Sequence, residues 1–372
     1  MQTFHNRARP MRIRKAGQQH GITLIEMMVA ITVGLILLAG IIELFVSNKQ
    51  AYRIQEGSNV LNENARYALN QIEYSLRMAD HWNGIEGSDV TVDGGINALT
   101  SNCTEDPVVT VLSGVGVVGL DGTSATSPLV SCIPNADYQA NTDMVVLRYA
   151  VPLTGKHRND PASTVAAAYT AEVMVRTAIG RRAVIYQAED APGLFDSSSG
   201  SLKDMLDESS TKALDSIANQ IYKFEVYFIR RCMSQDRGTA DQCDAADDSI
   251  PTLTRLVLDK DGTSLVQQDV IAGVEQMQLS YGLDTDGDLT ADQYKNATDI
   301  TAANQWGQVV DVRLSLILRN LERDQAYQDT TTYRLYGGAA GAGVTYTVPA
   351  AVQNFRRRLV NTSIQIRNLV RG

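Results

Sequence analysis

Proline and charge are both missing from long stretches near the start of the chain. No proline occurs between Pro10 and Pro107, and no charged residue occurs from Met27 to Ile42. Because a proline inside a helix removes a hydrogen bond and clashes with the preceding turn, its absence permits one long helix. A helix that is apolar on every side does not suit the surface of a soluble domain, so the uncharged run indicates a membrane span.

Histidine and cysteine are scarce, with four of each in 372 residues. Only His81 and His157 lie beyond residue 21, and no C-x-x-C pair occurs, which argues against a zinc site. The G-x-S-x-G and H-E-x-x-H patterns of hydrolases and metalloproteases are also absent from the sequence. We therefore predict that the protein is not an enzyme and has no cofactor.

Acidic side chains outnumber basic ones by 42 to 33, which gives a net charge of −9 at pH 7. The first 21 residues contain no acid but five basic side chains, namely Arg7, Arg9, Arg12, Arg14 and Lys15. The rest of the chain is therefore more acidic still. A non-specific DNA-binding protein needs a basic surface, so we predict no direct contact with nucleic acid.

Residues 22–46 are long enough to cross the hydrocarbon core of a bilayer as a helix, which takes ~20 residues. The basic residues before this segment predict that the N-terminus stays in the cytoplasm while the rest is exported. A conventional cleaved signal peptide is the competing interpretation. The apolar run is too long for one, and no A-x-A-type site follows it.

Glu26 is an acid at the entrance of this apolar segment. A carboxylate inside a span costs roughly 2.5–3.5 kcal/mol, so it usually has a partner and a role. Cleavage after Gly21 would create an amine on Ile22, and that cation could neutralise the carboxylate of a neighbouring copy of the helix. The alternative is that Glu26 only reaches back to the membrane surface.

Residues 21–26 (Gly-Ile-Thr-Leu-Ile-Glu) after a basic leader resemble the signal of type IV prepilins and pseudopilins. The resemblance implies that a prepilin peptidase cuts after Gly21, that Ile22 is then N-methylated, and that Glu26 guides assembly. Ile22 replaces the phenylalanine that is commoner at the first mature position. The leader, residues 1–21, is long for this family, and a start at Met11 would shorten it.

The C-terminal part resembles the PilW group of type IV pilus minor pilins at residues 273–277, 281–288, 306–318 and 355–358. This resemblance implies a structural subunit that primes pilus assembly with other minor pilins, the major pilin, the inner-membrane assembly machinery and a tip adhesin. It also implies a single-pass protein of the bacterial inner membrane with a periplasmic C-terminal head, later carried to the pilus. Twitching, attachment and DNA uptake would depend on it indirectly.

Three other functions fit parts of the sequence. A type II secretion pseudopilin would share the same N-terminus but serve another machine. A membrane-anchored periplasmic enzyme would need a catalytic cluster in residues 81–220, which the resemblance covers poorly. A plain anchored binding module would lack peptidase processing.

The fold class that we predict is α+β and pilin-like: one long N-terminal helix packed on an antiparallel sheet. Apolar residues recur at three- and four-residue steps after residue 60, which indicates a buried helical stripe: Leu61, Ala65, Ala68, Ile72, Leu76 and Ala79. The helix would run over residues 22–79, spanning the membrane at 22–46 and amphipathic at 47–80. Two helices hinged near Gly57 are the alternative.

Strands are predicted from alternating apolar residues. Four segments alternate with period two, at 224–228, 276–281, 312–318 and 362–366, and 253–258 is a further strand. They predict one antiparallel sheet within residues 221–372 that is wet on one face. The segment 81–220 is expected to be a variable region of loops and strands, with strands near 144–151, 171–176 and 182–187.

All four cysteines lie beyond the membrane segment, in an oxidising compartment, where an even number suggests two disulfides. The spacing favours Cys103 with Cys132 and Cys232 with Cys243, and other pairings stay open.

Residues 284–292 alternate carboxylates with other residues, as calcium loops do. Weak calcium binding by Asp284, Asp286, Asp288 and Asp292 is one interpretation. An acidic hairpin turn is the other, and we favour it because Leu289 and Lys295 replace the glycine and glutamate of an EF-hand.

Two glycine-rich segments look like nucleotide motifs but lack their context. Gly114, Gly116 and Gly119 form a G-x-G-x-x-G pattern that no helix is predicted to follow, so we expect a loop. Residues 337–343 lack G-K-[ST] and predict a hairpin or loop. In Arg356, Arg357 and Arg358 the middle side chain should point away from its neighbours, which argues against one basic patch.

Overall fold

The structure is a computed structural model that describes residues 21–93, 113–153, 165, 167–169, 172–178, 182–188, 217–233, 242–244, 249–259, 262 and 264–366. The chain divides into two compact units, residues 1–56 and 57–372. One helix, α1 (Leu24–Met78), contains residues of both units and continues through Gly57. The prediction of one long helix is confirmed, because a single helical segment is found where the alternative had two.

In the first unit, every described residue from 21 to 53 is exposed. This part of α1 includes an 18-residue window with a mean hydropathy of 2.6, which is long and apolar enough to cross a membrane. Apolar side chains that face water are unfavourable, so this surface requires lipid or another protein around it.

In the second unit, the remainder of α1 packs its predicted stripe into the core. Leu61, Ala65, Ala68, Ile72 and Leu76 are all buried, as the three- and four-residue spacing predicts. Contacts with the strands described next include a 2.9 Å hydrogen bond between the Ser75 and Tyr227 hydroxyls. The helix therefore covers a face of the β-structure, as expected for an α+β head.

The larger sheet has eight strands and is mixed. Six follow the order β1-β5-β4-β6-β3-β2, while β7 pairs with β6 and β8 pairs with β7. Only the pair β1–β5 is parallel among these described strands. Their bounds are β1 Val90–Val92, β2 Val117–Leu120, β3 Met144–Pro152, β4 Val173–Ala178, β5 Arg182–Gln187, β6 Ile217–Arg230, β7 Thr252–Leu258 and β8 Leu265–Ala272.

The smaller sheet has four antiparallel strands in the order β10-β9-β11-β14, and β12 with β13 forms a separate hairpin. The bounds are β9 Val274–Leu283, β10 Gln293–Lys295, β11 Val309–Arg319, β12 Thr332–Leu335, β13 Val344–Thr347 and β14 Arg357–Gln365. A short helix, α2 (Ala297–Ala303), follows β10. The glycine-rich segment 337–343 joins β12 to β13, so the predicted hairpin is present.

The expectation of one sheet within residues 221–372 is not met. Strands β6 and β7 join strands β3, β4 and β5 of the 81–220 segment, whereas β9, β11 and β14 form the second sheet. The expectation of a wet face also fails for β9, which is buried along its whole length. One cause is visible at Gln278 of β9, whose side-chain amide donates to the Asn141 carbonyl, just before β3, at 2.9 Å.

Candidate functional site

The N-terminal site begins with three non-helical residues, Gly21 to Thr23, and α1 starts at Leu24. The backbone N–H and the hydroxyl of Thr23 donate to Glu26 Oε2 at 3.0 and 2.8 Å. In return, the Glu26 N–H donates to the Thr23 hydroxyl at 3.3 Å. This is a capping box, in which Thr and Glu three residues apart satisfy the free donors of a helix start.

The capping box was missed from the sequence, although its signal, Thr-x-x-Glu, stands at residues 23–26. The capping box gives the Glu26 carboxylate a hydrogen-bond partner at the start of its own helix. Only one of the two carboxylate oxygens is used, since both Thr23 donors reach Oε2. Both members of the box lie after Gly21. A cut between Gly21 and Ile22 would therefore leave the helix start intact and place a new amine one residue before Thr23.

The acidic turn after β9 brings three of the four predicted calcium ligands together. Oxygens of Asp284, Asp286 and Asp292 lie within 4.8 Å of one another, and Asp288 is not part of this group. Asp288 instead accepts the N–H and hydroxyl of Thr290 at 2.8 and 2.5 Å.

Hydrogen bonds within the turn satisfy its other carboxylates. Asp284 accepts the backbone N–H groups of Gly287 and Leu289 at 2.6 and 3.0 Å. Asp292 accepts the N–H and hydroxyl of Thr285, and these bonds lower the pKa of its carboxyl group. The arrangement is that of the acidic hairpin turn, and calcium binding stays a prediction.

A disulfide joins Cys232 to Cys243, with a Cα–Cα distance of 5.7 Å, as the spacing predicts. It closes the loop after β6, whose end is also held by the Arg230–Asp269 ion pair to β8. Cys132 is also disulfide-bonded. Cys103 lies outside the described residues, so its pairing with Cys132 stays a prediction.

The G-x-G-x-x-G pattern is not a nucleotide site in the described structure. Gly119 lies on strand β2 rather than in the expected loop, and residues 121–123 after it are not helical. A Cβ at Gly119 would overlap the ring and hydroxyl of Tyr281, and one at Gly116 would overlap Asp80. These glycines let neighbouring elements approach closely, which explains them without a ligand.

The three arginines at the start of β14, Arg356 to Arg358, are separated, as predicted. The side chain of Arg357 is fully buried, binds both oxygens of Glu275 at 2.5 and 3.1 Å, and lies 3.4 Å from Asp329. Arg356 pairs with Asp324 at 2.9 Å. The PilW-like segments around residues 275 and 357 are therefore joined by a buried ion pair within the head.

The junction of the two sheets depends on Asp143, just before β3. Its carboxylate accepts the N–H of Gly122 at 2.9 Å and that of Leu279 at 2.7 Å, while its own N–H donates to the Met277 carbonyl. Asp143 thus forms two hydrogen bonds with the backbone of β9, as a neighbouring strand would. Burial raises the pKa of its carboxyl group to about 7, although the two amide donors act in the opposite direction.

A cleft of about 970 Å³ lies beside this junction, between β9, the β12–β13 hairpin and the Cys232–Cys243 disulfide. Two of the charged residues that line it are bound to the protein itself. Asp121 accepts the N–H groups of Ala297 and Thr298 at the start of α2, and Arg319 donates to the Ser249 carbonyl.

Comparison with known proteins gives two matches at separate parts of the chain. Residues 226–368 match the family model for Type IV Pilus-assembly protein W. Residues 17–42 match the prokaryotic N-terminal methylation motif. Both matches agree with the resemblances found in the sequence.

Among solved structures, the chain is similar to a type IV-like pilin from Thermus thermophilus. The identity is 9% and the TM-score is 0.26, over 69% of this chain and 86% of that one. This likeness is too weak to support an inference. No curated protein matches the sequence. The chain therefore carries a region similar to Type IV Pilus-assembly protein W at residues 226–368 and a prokaryotic N-terminal methylation motif at residues 17–42.

Proposed function

We propose that the protein is a minor pilin that helps to prime assembly of a type IV pilus. The observation that carries the proposal is the methylation motif, which leads directly into an exposed helix. Glu26 is the first charged residue of this helix, and the run from Met27 to Ile42 that follows it is uncharged. The PilW-type region supports the same assignment, because its model describes pilus assembly.

In this mechanism the precursor lies in the inner membrane with its head in the periplasm. Prepilin peptidase cuts after Gly21, and Ile22 becomes the methylated first residue. As subunits leave the membrane, apolar helices pack against one another because water would otherwise contact them. The Glu26 carboxylate pairs with the Ile22 amine of a neighbour, which offsets the cost of burying either charge alone.

The partners would be other minor pilins, the major pilin, the assembly machinery and a tip adhesin. The role is structural rather than enzymatic, and twitching, attachment and DNA uptake depend on it through the pilus. A type II secretion pseudopilin is distinguishable by phenotype. A deletion strain that loses protein secretion but keeps twitching would favour that machine instead.

The Thr23–Glu26 capping box permits a sharp test of the charge at Glu26. Glutamine also serves at this position of a capping box, so Glu26→Gln keeps the helix start and removes only the charge. We expect normal insertion and processing but about tenfold fewer surface pili, which corresponds to roughly 1.4 kcal/mol of lost pairing. Surface pili would be counted by electron microscopy and by immunoblot of sheared fractions.

Glu43→Gln is the matched control, because Glu43 is an exposed carboxylate on the same helix outside the motif. It should leave piliation normal. Normal piliation in Glu26→Gln would refute the pairing with Ile22 and leave Glu26 as a helix cap.

Gly21→Ala tests the cleavage site itself. The added methyl group should block the peptidase, so the protein should migrate more slowly on a gel and keep its basic leader. A mature N-terminus at Ile22 in this variant, detected by mass spectrometry, would show that the peptidase does not require this glycine.

A further inference from the structure

The β12–β13 hairpin leaves one strand edge unpaired within the described structure. β13 pairs with β12 alone, and the two strands form a separate sheet. No other backbone hydrogen bond joins β13 to a described residue. A strand edge carries backbone N–H and C=O groups that need partners, and a sheet of only two strands is marginally stable in water. A third strand beside β13 would satisfy these groups.

The unpaired edge faces the cleft of about 970 Å³. The cleft is lined by four consecutive residues of β13: Val344, Thr345, Tyr346 and Thr347. Side chains of a strand point alternately to opposite faces, so a strand that met the cleft with one face would line it with every second residue only. Thr345 and Thr347 are exposed, whereas Tyr346 is half-buried and donates a hydrogen bond to Glu275 on β9. The cleft therefore runs along the edge of β13.

Carboxamide side chains line the cleft away from the hairpin. They include Gln139 and Asn141, which precede β3, and Gln276 on β9. No hydrogen bond to another described residue uses the side-chain amides of Gln139 and Asn141 or the amide nitrogen of Gln276. A carboxamide offers a donor and an acceptor, as a peptide group does. These side chains can therefore pair with one edge of an extended peptide while β13 pairs with the other.

The charged residues of the cleft favour an occupant without charge. Two of the six, Arg231 and Asp244, are exposed and have opposite signs. The other four are bound within the head: Asp121, Asp143, Glu275 and Arg319. A charged side chain that entered the cleft would lose its water without meeting an unpaired charge of opposite sign in the lining, which is unfavourable.

We propose that this cleft binds an extended, uncharged segment of another polypeptide, which adds a third strand beside β13. About four residues of the segment pair with Val344–Thr347, because four residues of a strand are ~13 Å long. Main-chain hydrogen bonds supply the affinity, and alternate side chains of the segment point toward β9 or into water. The inference goes beyond the proposed function and does not depend on it.

A blocked peptide tests the chemistry of the cleft. The peptide acetyl-Thr-Val-Thr-Val-Thr-Val-amide has no charge and favours an extended conformation. With a neutral dye attached, its fluorescence anisotropy should rise to saturation when the full chain in detergent is added. Two further peptides carry N-methyl groups on alternate amides, so that each lacks the N–H donors of one edge.

At least one of the methylated peptides should bind about tenfold more weakly than the parent peptide, because it loses main-chain hydrogen bonds. Absence of saturable binding by the parent peptide would overturn the proposal. Equal affinity of all three peptides would also overturn it, since the side chains rather than the main chain would then determine binding.

Gln139→Leu tests the carboxamides opposite β13. Leucine has a similar volume but no hydrogen-bonding group, so we expect about tenfold weaker binding of the parent peptide. Gln268→Leu on β8 is the matched control, because Gln268 is exposed and does not line the cleft. Unchanged affinity in Gln139→Leu, or an equal loss in the control, would overturn the proposal. Tryptophan fluorescence verifies a native head in both variants, since Trp82 and Trp306 are buried there.

Photo-crosslinking in cells identifies the source of the bound segment. A photoreactive phenylalanine analogue replaces Thr345 in the full chain, and mass spectrometry maps the cross-linked peptide. We expect an uncharged stretch of a different exported protein, and no such cross-link when the analogue replaces Gln268 instead. Cross-links only to this chain, to a second copy of it or to lipid, or the absence of any cross-link, would overturn the proposal.

Discussion

Asp143→Asn is the substitution that tests the junction between the two sheets. The Asp143 carboxylate is buried, and it receives N–H groups from Gly122 and Leu279, one on each side of the junction. Burial raises its pKa from the ordinary 3.8 of an aspartate side chain to about 7. Asparagine has the same shape and resembles the protonated acid, because it carries no charge and keeps one accepting oxygen.

The direction of the pH effect follows from proton linkage. A carboxyl group whose pKa is higher in the folded state binds a proton on folding, so its contribution favours the folded state most at low pH. This contribution to stability is lost as the pH rises from about 4 to about 7, which are the pKa values of the carboxyl group in the unfolded and folded states. A difference of ~3 pKa units corresponds to about 4 kcal/mol, at 1.36 kcal/mol per unit.

The assay is chemical denaturation of the full chain in detergent at pH 5 and pH 8. Tryptophan fluorescence reports on the head alone, because the only two tryptophans, Trp82 and Trp306, are buried there. The wild type should lose about 2.7 kcal/mol more stability between these pH values than Asp143→Asn does, because only the ~2 pH units from pH 5 to about 7 lie within the assay interval. An exposed acid, as in Asp288→Asn, is the control and should follow the wild type.

Parallel pH profiles of wild type and Asp143→Asn would refute the reasoning. The absolute stability of the variant does not enter this test, because Gly122 and Leu279 donate to different oxygens of Asp143 and asparagine offers only one acceptor. The groups that face this carboxyl group are Asp121, Tyr138 and Tyr281, and none of them carries a positive charge.

Two further predictions concern the head. Arg357→Gln should destabilise the head by roughly 3–5 kcal/mol, because Glu275 would keep a buried charge without its bidentate partner. Equilibrium denaturation measures this loss, and a value below about 1 kcal/mol would show that the pair contributes little. Calorimetric titration of the protein with calcium should show no saturable heat up to millimolar concentration, because the carboxylates of the acidic turn already accept internal donors. A saturable heat that Asp286→Asn abolishes would establish a calcium site instead.

Local patterns predicted the elements better than their arrangement. The stripe from Leu61 to Leu76 and the alternation around Leu314 locate α1 and β11, because each pattern reports directly on which side of an element is buried. The division into two sheets depends instead on pairs far apart in sequence. Phe224 pairs with Arg148, 76 residues away, and no periodicity reports that choice.

The alternation of polar and apolar residues did not predict which polar side chains are buried. Gln276 and Gln278 have the alternation of a wet strand face, yet they are 5% and 4% exposed. Long-range partners decide their burial, as they do for Glu275, which needs Arg357 from 82 residues further along the chain. A carboxylate that pairs with a distant arginine looks like a surface acid when only its neighbours in sequence are considered.

The N-terminal capping box could have been predicted from the sequence, because both of its members lie within residues 23–26. Thr23 and Glu26 close the helix start by themselves, and both lie after Gly21, where we propose that the leader is removed. Both Thr23 bonds reach Oε2, so the Glu26 carboxylate caps its own helix and keeps Oε1 free of those bonds. Under the proposed function, Oε1 would accept the Ile22 amine of a cleaved neighbour. A glutamate at this position would then couple processing to assembly, because an uncut subunit would offer no amine at Ile22.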